Sequence, residues 1–431
     1  MNESILVVDD EASIRKSLEG ILTDEGYIVS SVDSGAAAIG YIENNNPALV
    51  LLDIWMPGTD GMEVLAEIKR RKPSLPVVMI SGHATISTAV RATQSGAADF
   101  LEKPLDLRTT ITTVKKAIEL KISPSYQTND ESLTPGVAER VKKTLNSGVF
   151  FDKRSQGQAF KQKTLQKSAI LYGQGLHTGK KSGLLLEPLP ENSGIHFIGV
   201  SENTPVPAHV NFVESTGFAT TVRLGDTQAG TIEHLMSALH AYGISNLLIK
   251  CNHEIPVMDG SAKEFCELFD AIGVTEQEAD WHAFRVKEKV QFGEGDEFIR
   301  IEPSDDFSIS YTLKYPKPVG IQEFSFTLND FEQYKNEIAS ARTFGFMKDL
   351  GYLQKQGLAL GGRFDNCVLF GEDGTLTGEL RFPNEPVRHK ILDAIGDLFL
   401  LGRRLQGKVT ASMTGHSDNV ELLKLLLASH S

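Results

Sequence analysis

Residues 1–120 alternate short apolar runs with stretches of helical period. "ILVV" (5–8), "ALVLL" (48–52), "PVVMI" (76–80) and "ADFLEK" (98–103) predict buried strands. Between them, "ASIRKSLEGILTDEG" and "GMEVLAEIKRRK" predict amphipathic helices. Gly26, "KPSLP" and "QSGAAD" punctuate these elements. Strands alternating with helices predict a doubly wound α/β domain on a parallel sheet. Residues 121–160 lose the pattern: "ISPSYQTNDESLTPG" is polar with two prolines, "VAERVKKTLNSGV" suggests a short helix, and "FFDKRSQGQAFKQ" is irregular. This stretch reads as a linker. From 161 to 431, many short alternating strands such as "GLLLEPL" and "FSISYTL" are interrupted by a few apolar helices, which predicts an α+β domain. Its best helices are near "TIEHLMSALHAYG", "AKEFCELFDAIG", "DLGYLQKQG" and "VRHKILDAIGDLFLLG". "TEQEADWHAF" (275–284) reads as a boundary that divides the region into halves at 161–280 and 281–431.

The composition narrows the class of protein. The chain has 431 residues, 41% hydrophobic and 23% charged, which is ordinary for a multidomain globular protein. It has no apolar run of about 18 residues to span a bilayer. "MNESILVVDDEAS" lacks the basic and apolar regions of a signal peptide. Cys251, Cys266 and Cys367 form no CxxC pair, which points to a reducing cytoplasm and away from thiolate-bound zinc. A net charge of −13 disfavours non-specific nucleic-acid binding but leaves room for a local anion site.

Each apolar run of the first domain ends in a residue suited to phosphoryl chemistry. "LVVDDE" ends in Asp9 and Asp10, "VLLDIWMPGTDG" in Asp53, "VVMISGH" in Ser81, and "DFLEKP" in Lys103. In an open parallel sheet, such groups gather at the carboxyl ends of the strands. Three converging carboxylates call for a hard cation, and Mg2+ suits oxygen ligands. Asp53 is then a candidate phosphoryl acceptor, with Lys103 and Ser81 placed to meet the phosphoryl oxygens. The stretch resembles a response-regulator receiver domain. The resemblance implies a five-stranded fold, phosphorylation at Asp53, and Mg2+ on Asp9, Asp10 and Asp53. It also implies switch positions at Ser81, Phe100 and Lys103, and a sensor histidine kinase as partner. The usual output of such domains is a DNA-binding helix-turn-helix, and no basic recognition helix follows residue 120.

Three polar features stand out further on. "RHKILDAIGDLF" spaces His389, Asp393 and Asp397 four residues apart, within roughly 80° of one helix face. "GTIEHLMSALH" sets Glu233 beside His234, and "SMTGHSDN" sets His416 in a glycine-containing loop. A catalytic zinc takes three N/O ligands and keeps a position for water. His389, Asp393 and His234 are a candidate set, with Glu233 about 100° away on its helix. The same stripe is the pattern of a solvated helix face, and spacing alone does not bring the segments together.

Region 161–431 resembles UDP-3-O-acyl-N-acetylglucosamine deacetylase, the zinc amidase of lipid A synthesis. The motifs that carry the resemblance are "QKTLQKSAILYGQGLHTGKK", "TIEHLMSALHAYGISN", "EIPVMDGSAKEF", "ARTFGFMKDLGYLQKQGLALGG" and "VRHKILDAIGDLFLLG". The family implies a two-layer fold of two similar sheet-and-helix halves. It implies Zn2+ on His234, His389 and Asp393, Glu233 as general base, His416 as cationic acid oriented by Asp397, and Thr343 as oxyanion stabiliser. Lys390, Phe344 and His177 match positions at or near the substrate. "TGHSDNV" departs from the family's usual Ser-Gly-His loop and its continuation. A catalytically inactive output module that binds a nucleotide sugar or a partner is the alternative reading.

Overall fold

The computed structural model describes residues 3–56, 59–81, 96–103, 105, 110–111, 113–115, 117–118, 155–199, 202 and 204–429. They fall into two compact units, dividing between Asp130 and Glu131. The short helix expected at "VAERVKKTLNSGV" lies outside the described residues.

In the first unit, β1 (Ser4–Val8), α1 (Ala12–Asp24), β2 (Ile28–Val32), α2 (Gly35–Asn44), β3 (Leu49–Asp53), α3 (Gly61–Arg71), β4 (Val77–Ser81) and β5 (Asp99–Glu102) follow in order. The five strands make one sheet in the order β2-β1-β3-β4-β5, every pair parallel. Alternation along each strand divides its side chains between two cores. Leu6 and Val8 pack with Ala38, Ile42, Leu65 and Ile68 from α2 and α3. Ile5 and Val7 pack with Leu18 and Leu22 from α1, and with Val114 and Ile118. The fully buried β3 and β4 read as continuous apolar runs because both faces are covered. Opening α3, the Asp60 side chain accepts from Met62 N at 2.9 Å, a cap that fits the chain's polar turn there.

The second unit begins with β6 (Gln156–Leu165), β7 (Ala169–Gln174), β8 (Lys181–Pro188), β9 (Ile195–Gly199) and β10 (Val206–Pro207). Next come β11 (Val213–Ser215), β12 (Thr221–Leu224), β13 (Thr227–Gly230), α4 (Glu233–Tyr242), β14 (Leu247–Cys251), β15 (His253–Glu254) and α5 (Lys263–Ile272). The chain continues with β16 (Val274–Arg285), β17 (Val290–Glu294), β18 (Glu297–Glu302), β19 (Phe307–Lys314) and β20 (Ile321–Thr327). It ends with β21 (Phe344–Phe346), α6 (Met347–Lys355), β22 (Val368–Phe370), α7 (Glu385–Leu398), β23 (Leu405–Ser412) and α8 (His416–Ser429). One sheet runs β10-β9-β14-β8-β7, and a small one runs β11-β12-β13-β15. The largest runs β17-β18-β23-β16-β6, with β19 joining β20 to β23.

Two expectations are corrected here. Residues 156–160, read as the end of a linker, belong to β6, and "TEQEADWHAF" lies inside β16 rather than at a boundary. These strands pair antiparallel from Leu165↔Val274 to Gln156↔Phe284. Both are polar and half-exposed, so their sequences hide them, and the hydrogen bonds that define them come from a partner about 110–130 residues away. The first described strand of the unit thus joins a sheet whose other strands all lie after residue 273.

Every residue of α4 is buried, as is all of α7 except Arg388 and Lys390. The two helices pack against each other, and α7 also covers β19 and β20. At their crossing, a Cβ built on Gly396 would lie 2.0 Å from the Glu233 carbonyl oxygen. Only glycine permits that approach. Gly396→Ala is therefore expected to wedge the two helices apart and to destabilise the unit by about 1–3 kcal/mol. A lowered thermal midpoint with retained helical circular dichroism would be the signature.

Candidate active site

The crossing of α4 and α7 gathers the polar residues of both helices into one buried cluster. His234 Nε2 lies 3.6 Å from Asp393 Oδ1, and His389 Nε2 lies 3.3 Å from the same oxygen. The two imidazoles meet edge to face, with centroids 5.0 Å apart. One donor atom from each of the three residues falls within 4.8 Å of the others. Asp393 Oδ1 is buried and has no hydrogen-bond partner, an expensive condition for a carboxylate oxygen unless a cation meets it. The donor set of two imidazoles and a carboxylate suits Zn2+.

The neighbours fix the state of each donor. His389 Nδ1 donates to the Ala341 carbonyl at 3.0 Å, leaving the Nε2 lone pair directed into the cluster. Burial pushes the His389 imidazole down to about 4, so it is neutral. Burial works against the Asp393 charge, yet the cationic groups around it, the Lys390 ammonium and the His416 imidazolium among them, outweigh it and hold the carboxyl well below its usual range. Lys390 Nζ donates to Asp393 Oδ2 at 3.1 Å.

Beside this cluster, Glu233 Oε1 faces His416 Nε2 at 3.9 Å. Burial raises the Glu233 carboxyl above its ordinary value. His416 Nδ1 donates to Asp397 Oδ2 at 2.8 Å. Burial alone would lower the His416 pKa, but the carboxylates of Asp397 and Glu233 outweigh it and raise the imidazole to about 9. The three-residue stripe on α7 therefore divides: His389 and Asp393 face His234, while Asp397 faces His416.

Sequence reasoning missed the residues that hold these groups. Thr220 Oγ1 donates to Asp397 Oδ1 at 2.6 Å, and its backbone N–H donates to Glu233 Oε2 at 3.1 Å. Asn419 Nδ2 donates to Asp397 Oδ2 at 2.8 Å. Asp418 caps α8 by accepting from Gly415 N at 2.7 Å. The altered loop around His416 thus keeps its start of helix and its hold on Asp397. Tyr311 Oη donates to the Thr414 carbonyl at 2.5 Å, tying that loop to β19.

The remaining predicted residues border the cluster. The Phe344 ring lies 6.3 Å from the His389 ring and packs with Tyr315 and Phe370. Thr343 is half-buried, its N–H donating to the Gly260 carbonyl at 2.7 Å. His177 is half-buried with both ring nitrogens shielded from solvent, and burial lowers its pKa. Its backbone N–H donates to Glu254 Oε1 at 2.8 Å, and Glu254 Oε2 accepts from both Thr178 N and Thr178 Oγ1. Glu254, the first residue of "EIPVMDGSAKEF", clamps the "GLHTGK" turn. It also accepts from Thr231 Oγ1 at 3.1 Å. Thr231 holds a left-handed φ of +55° just before α4, a strained turn that sets the helix's entry.

A second carboxylate cluster sits at the carboxyl edge of the first unit's sheet. The register Val8↔Leu52 brings Asp9 and Asp53 to the same end, and both are buried. Donor oxygens of Asp9, Asp10 and Asp53 lie within 4.8 Å of one another, a fit for a hard divalent cation. Lys103 Nζ reaches Asp53 Oδ2 at 2.7 Å, Asp9 Oδ2 at 2.9 Å and Glu11 Oε1 at 3.1 Å. Burial raises the Asp53 carboxyl, with Lys103 opposing it. Ser81 is buried at the end of β4, and its carbonyl accepts from Lys103 N at 2.8 Å. Phe100 lies on β5, its side chain outside the described part of the structure.

Comparison with known proteins assigns both units. Residues 162–428 match the family UDP-3-O-acyl N-acetylglycosamine deacetylase, and residues 5–115 match the response regulator receiver domain. The UDP-3-O-acyl-N-acetylglucosamine deacetylase of Helicobacter pylori is 42% identical over 270 residues, covering 62% of this chain and 92% of the relative. That of Chlamydia pneumoniae is 43% identical over 275 residues, covering 62% of this chain and 96% of the relative. Among solved structures, the receiver domain of NtrX from Brucella abortus is 48% identical, covering 27% of this chain and 98% of that one, with a TM-score of 0.26.

Proposed function

The chain belongs to the UDP-3-O-acyl N-acetylglycosamine deacetylase family and carries a receiver domain ahead of that region, and from this premise we propose a zinc-dependent amidase under phosphorelay control. Its reaction is hydrolysis of the N-acetyl group of UDP-3-O-acyl-N-acetylglucosamine, giving the free amine and acetate, a step of lipid A synthesis. The observation that carries the reading is the partnerless, buried Asp393 Oδ1 facing two imidazole nitrogens.

His234, His389 and Asp393 would hold the zinc. A zinc ion there supplies Lewis-acid chemistry, lowering the pKa of a water and polarising the amide carbonyl. Glu233 takes the proton from the attacking water, and its raised pKa suits a base that must later release it. His416, kept cationic by Asp397, stabilises the charge that develops on the carbonyl oxygen and protonates the leaving amine. Thr343 adds a hydroxyl donor to the same oxygen. Lys390 and His177 serve the polar part of the substrate. Phe344, with Tyr315 and Phe370 around it, offers an apolar wall toward the acyl chain.

In the receiver, Asp53 accepts the phosphoryl group from a sensor histidine kinase, and Mg2+ rests on Asp9, Asp10 and Asp53. Ser81, Phe100 and Lys103 form the switch. Lys103 already bridges Asp9 and Asp53, so a new charge on Asp53 would alter the balance that holds it. The domain limits proposed are 1–120, 121–155 for the linker, and 156–431, the last shifted to include β6. The three unpaired cysteines favour a cytoplasmic location. No described helix is long and apolar enough to cross a membrane.

Glu233→Ala is expected to lower kcat by about 10²–10⁴-fold in a deacetylase assay, and a strong chelator to abolish turnover until zinc is returned. A fully active variant would sink the mechanism. For kcat/KM, activity rises with pH as Glu233 deprotonates through its raised pKa. It falls again as His416 loses its proton at about 9, and His416→Gln should remove that alkaline limb. Adding beryllofluoride and Mg2+ should change turnover in the full chain, and Asp53→Asn should erase the change. An identical response from both proteins would end the regulatory reading.

A further inference from the structure

Three consecutive residues carry groups that the proposed reaction depends on. The Ala341 carbonyl orients His389, Arg342 is buried next along the chain, and Thr343 is the residue proposed above as oxyanion donor. Both ends of this segment are fixed. Thr343 N donates to the Gly260 carbonyl at 2.7 Å, and Thr343 O accepts from Val368 N at 2.8 Å. Gly260 has a φ of +87°, and a Cβ there would lie 2.1 Å from the Asn366 carbonyl oxygen, so this anchor leaves no room to drift.

The other anchor is Glu385, fully buried in the first turn of α7. Its Oε1 accepts from Arg342 N at 2.9 Å and from Arg342 Nε at 2.8 Å. Its Oε2 accepts from Arg342 Nη2 at 3.1 Å and from Arg381 N at 2.7 Å. Each oxygen thus has two donors, and the Arg342 fork is held in plane. Glu385 also lies one helical turn before His389, on the same face of α7. The contacts close a ring: carboxylate to Arg342, along the backbone to the Ala341 carbonyl, across to His389, and back down the helix.

We propose that Glu385 is a positioning residue for the deacetylase reaction: its pair with Arg342 sets the 341–343 segment, and through it the ring orientation of His389 and the reach of Thr343. The inference rests on the zinc-amidase reading above. Stability alone does not account for the pair. Desolvating two charges cancels most of their attraction, and well-packed apolar residues often serve as well. What a bidentate pair supplies is direction. Partners that orient a metal-bound imidazole are worth about 10–100-fold in metal affinity or activity.

The test compares the full chain with Glu385→Gln, which keeps the shape, and Arg342→Lys, which keeps the charge but loses the fork. Zinc affinity is measured by chelator competition, alongside kcat, KM and the melting temperature. Both variants should lose about 10–100-fold in zinc affinity, with kcat falling more than KM changes. Leu268→Ala, a core change in α5, should lower the melting temperature while leaving zinc affinity intact. If Glu385→Gln fails to fold, Arg342→Lys decides. Folded variants with unchanged zinc affinity and kcat would overturn the inference alone. A wild-type chain that binds no zinc would overturn the amidase reading and this inference together.

Discussion

The site of the second unit depends on how closely two buried helices approach. Gly396 lets α7 rest against the Glu233 carbonyl of α4. Glu233 and His234 open one helix, and His389, Asp393 and Asp397 lie along the other. A Cβ at 396 would sit 2.0 Å from that carbonyl oxygen, so the two helices would have to part. The 3.6 Å approach of His234 to Asp393, which crosses from α4 to α7, would then open, while the His389–Asp393 pair within α7 would stay. Backbone packing, rather than attraction among the polar groups, brings donor atoms of His234, His389 and Asp393 within 4.8 Å of one another.

Burying so many ionisable groups is costly unless each has a partner. The structure divides the task. His389 is kept neutral by burial and turned by a backbone carbonyl. His416 is kept cationic by two carboxylates. Asp397 accepts from His416 and Asn419 on α8 and from Thr220 just before β12, so three donors from two distant parts of the unit hold it. Of the carboxylates described in this cluster, Asp393 keeps a buried oxygen without a hydrogen-bond partner, and that oxygen faces both imidazoles. Opposite protonation states of two histidines within one cluster thus follow from their surroundings, and such paired contrasts mark acid–base sites.

The receiver reaches its site by a different route. Parallel strands in register end at one edge, so the residue after each apolar run arrives beside its neighbours without help from helix packing. Lys103 supplies the counter-charge that three carboxylates need. This arrangement depends on strand order more than on close contacts.

That difference explains what could be read in advance. Alternating apolar runs and their terminal Asp9, Asp53 and Ser81 determine the receiver's fold and site, because period and strand ends are local properties. The motif around His389 likewise determines a helix with a polar face. Local sequence could not say that Asp397 turns toward His416, since His416 lies on another helix. Nor could it reveal Thr220, which joins Glu233 and Asp397 from 13 and 177 residues away. β6 and β16 escaped for the same reason: each is polar and half-exposed, and it becomes a strand only when the other supplies its hydrogen bonds. The sequence by itself determined which groups are present and which local elements bear them. Tertiary structure alone decided which groups meet, because burial and long-range backbone contacts set the charge and direction of each.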